Sequence, residues 1–204
     1  MEQKDCEKYI KEVKKYYSKN YKKYHTIHHI QRLFDIYFRF RDKFLEEFPN
    51  LNEDDLFEAI AWHDSVYIPG CELNEEFSAQ LYAKYMNDKG SVARGSVYNA
   101  ILSTKIGTEV FIGDIEKVLH DLDWSSFSDY YHIFKKFSEQ ILFEATYDEL
   151  YTVKTVKENQ LKFYKSYLNK DIYVTKTFKK GNEVARKNIE LIVKQLTSEL
   201  EEMK

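Results

Sequence analysis

The stretch Asn52-Glu-Asp-Asp-Leu-Phe-Glu-Ala-Ile-Ala-Trp-His63-Asp64 decides how the rest of the chain is read. Asn52 is a good helix N-cap, and the acidic residues after it suit the positive end of a helix dipole. Leu56, Phe57, Ile60 and Ala61 then recur at helical spacing, so the segment reads as an apolar helix that delivers His63 and Asp64 at its far end. A His-Asp pair carried on such a face is costly to desolvate unless a charge or a hydrogen-bonding group receives it. A divalent cation is one such receiver, and a helix end open to water is the simpler alternative.

The same period extends outward in both directions. Upstream, a first helix is expected from about Cys6 to Ser18 and a second from about His25 to Phe48, ending before Pro49. Downstream of the Pro69-Gly70 break, helices are expected at about Asn74–Lys89, Ser91–Ser103, Phe111–Leu122, Ser128–Tyr151, Val156–Leu168 and Asn182–Met203. The β-branched Ile172-Tyr-Val-Thr is expected to be extended. With two prolines and six glycines in 204 residues, and no linker or repeat, the expectation is one all-α domain, a helical bundle over residues 1–204.

Composition narrows the classes of function. The hydrophobic share is 43%, with 17 Tyr and 14 Phe, which rules out disorder over most of the length. Thirty-one basic and 34 acidic residues give a net charge of -3 with signs interspersed, so nothing pulls the chain as a whole toward nucleic acid or anionic membrane. Cys6 and Cys71 lie far apart without C-x-x-C spacing, which suggests reduced thiols and a cytoplasmic protein. The charged N-terminal residues do not form a signal peptide, and no apolar run approaches a membrane span.

Two further clusters carry chemistry. His25, His28 and His29 crowd the start of the second expected helix, where His25 and His29, four apart, would share a face. Asp121-Leu-Asp123 offers a carboxylate ligand and a neighbour to orient it, or the solvated end of a helix. Imidazole and carboxylate together suit Mn, Fe, Co, Ni or Zn, with Mg a further candidate. Tyr24, Trp62, Tyr67 and Trp124 read either as core or as a wall on which a base stacks.

In chain order, His29, His63-Asp64 and Asp123 reproduce the pattern H…HD…D, and with it the chain resembles the HD superfamily of metal-dependent phosphohydrolases. It is most similar to the group described as predicted metal-dependent HD phosphohydrolases. Matching segments are Tyr24-His-Thr-Ile-His-His-Ile, Ala61-Trp-His-Asp-Ser-Val-Tyr, Asn74-Glu-Glu-Phe-Ser-Ala, Asp121-Leu-Asp-Trp and Ile172-Tyr-Val-Thr with Glu183-Val-Ala-Arg-Lys-Asn, spread over about residues 21 to 190.

The resemblance implies an HD-type helical bundle with metal ligation by His29, His63, Asp64 and Asp123, and hydrolysis of a phosphate ester in a small nucleotide or related metabolite. Glu75 or Asp64 would serve as base, with His25, Asn74, Lys105 and Arg186 contacting substrate. His28 falls at a variable position of the pattern. Where the family carries a further histidine, this chain reads Lys105-Ile-Gly-Thr, which implies one divalent metal rather than two. Where the family reads Ile-Arg-x-Glu, this chain reads Ile141-Leu-Phe-Glu144 and lacks the arginine. The alternative reading is therefore an HD-fold protein that binds a nucleotide or a protein partner without turnover; a homodimer stays open in either case.

Overall fold

The computed structural model describes residues 6–203, and among these there are helices and connecting segments but no strand. The chain divides into two compact units, Met1–Asp123 and Trp124–Lys204.

The first unit holds α1 (Glu7–Val13), α2 (Ile27–Glu47), α3 (Glu53–Trp62), α4 (Asn74–Asp88), α5 (Gly95–Ser103) and α6 (Asp114–Asp123). Its centre is α3, which packs against each of the other five helices. The reason lies in its composition: Leu56, Phe57, Ala59, Ile60 and Ala61 are all fully buried, so the helix is apolar nearly all round and needs neighbours all round. Its start is capped as expected, the Asn52 side chain accepting from the Asp55 amide at 3.2 Å.

The acidic first turn of α3 is held by basic residues from its neighbours. Glu53 accepts from Arg41 Nε and Nη2 at 2.6 Å each, a two-point pair, and from the Tyr37 hydroxyl at 2.6 Å. Arg94, just ahead of α5, reaches both Asp55 at 2.5 Å and Glu58 at 2.6 Å. Trp62 is buried against Tyr16, Tyr82 and Tyr85, which makes it core.

The second unit consists of a 3-10 turn, Trp124–Ser128, followed by α7 (Tyr131–Thr146), α8 (Val153–Tyr167) and α9 (Asn182–Glu202). Its core is aromatic: Trp124 stacks on Phe127 at 5.0 Å, and Phe127, Phe134, Phe163 and Tyr164 continue the cluster. Trp124 is 8% exposed and belongs to that core. Glu144 is fully buried on α7.

Several boundaries differ from the sequence expectation. The helix expected from His25 begins at Ile27, because Thr26 is extended (φ -111°, ψ 171°). The helix expected to reach Tyr151 stops at Thr146, and Glu149 turns the chain with a left-handed φ of 57° before Thr152 caps α8. The Ile172–Thr175 segment is irregular rather than a strand: Asn182 Oδ1 accepts from the Ile172 and Tyr173 amides at 2.7 and 2.9 Å, replacing the ladder that a strand would need. Neither cysteine forms a disulfide. Among the described residues no helix is long and apolar enough to cross a membrane.

Candidate metal centre

Three helix ends of the first unit bring four polar side chains to one point. His29 is the third residue of α2, His63 caps the C-terminus of α3, Asp64 follows it, and Asp123 closes α6. Both imidazoles are almost wholly withdrawn from water, His29 at 6% and His63 at 1% exposure.

The donor atoms of the four residues all lie within 4.8 Å of one another. His29 Nε2 is 3.4 Å from His63 Nε2, 3.1 Å from Asp123 Oδ1 and 3.5 Å from Asp64 Oδ2. His63 Nε2 is 3.1 Å from Asp64 Oδ2 and 3.6 Å from Asp123 Oδ1. Around one ion with bonds of about 2.0–2.2 Å, adjacent donors stand roughly 2.8–3.6 Å apart in octahedral or tetrahedral order. The five donor pairs that include an imidazole therefore have the spacing of a coordination shell.

A second observation concerns the tautomer. His63 Nδ1 lies 2.9 Å from the Ile60 carbonyl, so in the neutral ring its proton sits there and Nε2 presents a lone pair to the cluster. That is the orientation a metal ligand requires.

The charges agree with the geometry. Burial would lower the pKa of His63, but the carboxylates of Asp64 and Asp123 outweigh it and raise it well above the ordinary value. Against the burial that would raise them, His63 and His25 hold Asp64, and His29 and His63 hold Asp123, well below the usual carboxylate range. The negative charge that draws a proton onto this cluster draws a cation equally. His29, His63, Asp64 and Asp123 could thus hold one metal ion.

The other residues singled out in the sequence are distributed differently. His25 precedes α2 instead of sharing its face with His29; its ring stacks on Tyr67 at 3.7 Å and contacts Tyr24 edge-on at 4.9 Å. His28 is exposed, with Nδ1 3.0 Å from Gln31 Oε1. Asp121 is fully buried but is not one of the four clustered donors. Asn74 spends its amide on the preceding loop, accepting from the Ile68 amide at 2.9 Å and donating to the Ile68 and Cys71 carbonyls at 3.0 and 3.1 Å. Leu73 occupies the cap position of α4, and Asn74 is its first residue.

Glu75, in the first turn of α4, has its pKa raised by burial and then by the charge of Asp64. Lys105 pairs with Glu76 at 2.6 Å. Arg186 belongs to the second unit, on α9, where it pairs with Asp171 at 3.3 Å.

Sequence reading missed Tyr17, Tyr21 and Lys22, which lie between the first two helices. Each donates to a main-chain carbonyl of the His-Asp segment: Tyr17 to Ala61 at 2.8 Å, Lys22 to Asp64 at 3.2 Å and Tyr21 to Tyr67 at 2.8 Å. Tyr17 fell within the first expected helix with no role assigned, and Tyr21 and Lys22 gave no signal, since a Tyr- and Lys-rich stretch reads as a solvated connection.

Compared with known proteins, the chain matches no family model, no curated protein and no solved structure.

Proposed function

We propose that the protein is a metal-dependent hydrolase that cleaves a phosphate ester, in a small nucleotide or a related phosphorylated metabolite. The observation that carries this reading is the convergence of two imidazoles and two carboxylates, from three separate helix ends, at coordination spacing. The resemblance of His29, His63-Asp64 and Asp123 to the H…HD…D pattern points the same way.

His29, His63, Asp64 and Asp123 would hold the ion, whose chemistry when bound is to acidify water and to neutralise charge on phosphoryl oxygens. The remaining roles fall to the chain itself. Glu75 is the base we assign, because burial and the charge of Asp64 raise its pKa above the ordinary carboxylate value, which makes it a better proton acceptor. It takes the proton of the attacking water as the water oxygen bonds to phosphorus; the ester oxygen leaves with the electron pair of the broken phosphorus–oxygen bond and is protonated from solvent, and Asp64 is the alternative base. His25 and Tyr67, already stacked on one another, offer an aromatic edge for a nucleobase. Lys105 is the cation of the first unit available for phosphate, with Asn74 shaping the loop ahead of α4.

A second reading is a metal-retaining protein that binds a nucleotide or a protein partner without turnover. It is favoured by the acidic partner that Lys105 already has, and by Leu142 where the resemblance calls for arginine. Exposed ion pairs of this kind are weak and exchange readily for a phosphate, which is why we rank hydrolysis first.

The test is phosphate or ester release from a panel of nucleotides in the presence of Mn, Co, Ni or Mg. Turnover with at least one pairing, abolished in His63→Ala and Asp64→Ala while helical circular dichroism persists, is the expected result. Tight nucleotide binding with no cleavage under any metal would replace hydrolysis by the second reading.

A further inference from the structure

We infer that Lys22 is a positioning residue for the metal centre, its ammonium fixing the main chain at Asp64 so that the carboxylate meets the ion. This rests on the metal-binding reading above. Lys22 sits beside Lys23 in a polar connection, a place where lysine ordinarily extends into water, yet it is only 5% exposed. Its Nζ donates to the Asp64 carbonyl at 3.2 Å and lies 5.0 Å from the centroid of the Tyr17 ring. Burying an ammonium is costly, so the contacts that receive it must be held firmly by the surrounding structure.

The neighbouring residues explain what the segment does. A helix leaves its last carbonyls without intrahelical partners, and α3 ends at Trp62, immediately before the two ligands. The Ala61 carbonyl is met by the Tyr17 hydroxyl, the Asp64 carbonyl by Lys22 and the Tyr67 carbonyl by the Tyr21 hydroxyl. The Ile60 carbonyl faces His63 Nδ1, and the Val66 carbonyl accepts from Ser78. A strap running from Tyr17 to Lys22 thus grips the ligand segment at three carbonyls, each three residues apart, with Lys22 on the ligand residue itself. An aspartate has only two side-chain torsions, so a fixed main chain leaves its carboxylate little freedom.

Lys22 also acts on a cation in the opposite sense, since like charges repel. Positioning predicts weaker metal binding when the ammonium is removed; repulsion predicts tighter binding. The direction of the change decides between them.

The experiment is a Co2+ titration of the wild type, Lys22→Met and Lys22→Gln, followed by the visible ligand-field absorption of the bound ion. The expected result is binding about 10- to 100-fold weaker in both variants, with altered cobalt bands and unchanged helical circular dichroism. Equal or tighter binding in a folded variant, with superimposable bands, overturns the inference and leaves the metal-binding reading intact. A wild type that binds no cobalt sinks that reading instead. Coupling between two contacts is reciprocal, so a second measurement needs no variant. Metal loading should slow acetylation of Lys22 in the wild type, quantified by mass spectrometry against the exposed Lys84 as internal reference. An acetylation rate unaffected by cobalt overturns the inference even if both variants misfold.

Discussion

The two units bury polar side chains in different ways. In the second unit, Asn182 and Asn188 point at main chain: Asn182 holds Ile172 and Tyr173, and Asn188 Nδ2 donates to the Phe127 and Asp129 carbonyls at 2.8 Å each. In the first unit, His29, His63, Asp64 and Asp123 point at each other, two of them carboxylates of like charge. A buried amide that satisfies an irregular backbone segment has its purpose inside the fold. Two carboxylates with donor atoms within 4.8 Å of one another do not stabilise a fold unassisted, and such a cluster is where chemistry is sought.

The largest test of this contrast is Phe57→Ala. Phe57 is fully buried on α3, with Tyr9, Phe34, Tyr37 and Phe38 within 6.0 Å between ring centroids. Its truncation should cost about 3–5 kcal/mol in urea unfolding and weaken metal binding, because the same helix carries His63. Phe134→Ala, in the aromatic core of the second unit, should cost a similar amount and leave metal affinity unchanged in the folded protein. Equal effects of the two on metal affinity would contradict confinement of the metal cluster to the first unit.

A smaller effect is expected from Asn182→Ala, which strands two buried amides. Urea denaturation should report a loss of about 1–3 kcal/mol, again without a change in metal affinity.

The smallest sharpens the picture of how α3 is held. Hydrogen bonding to Arg41, aided by Tyr37 and opposed by burial, holds the Glu53 carboxyl below its ordinary value. Glu53→Gln should cost about 1 kcal/mol at pH 7, the partial exposure of the pair screening the rest. A folded pKa below the unfolded one stabilises above the unfolded value, and the benefit is lost as pH falls through the folded one. The gap between wild type and variant should therefore be full at neutral pH and close progressively below about pH 4.

Much of this organisation was legible in the sequence, for identifiable reasons. Helical periodicity located the core of all nine described helices, and Asn52 announced the start of α3, because burial and capping are local patterns. The candidate metal cluster was legible only through order along the chain; nothing local distinguishes Asp123 from Asp121, and it is the geometry of α6 that gathers one and not the other. His25 was misplaced because an extended Thr26 delays the start of α2 to Ile27, and the strap was invisible because burial of Lys22 depends on tertiary contacts.

Equilibrium dialysis of the purified chain against Co2+ or Zn2+, with metal quantified by mass spectrometry, bears most directly on the central claim. One ion per chain in the wild type, reduced on the order of 100-fold in affinity in His63→Ala and Asp123→Ala, is the predicted result. A wild type that retains no ion, or variants that retain it equally well, would contradict a metal centre at these four residues.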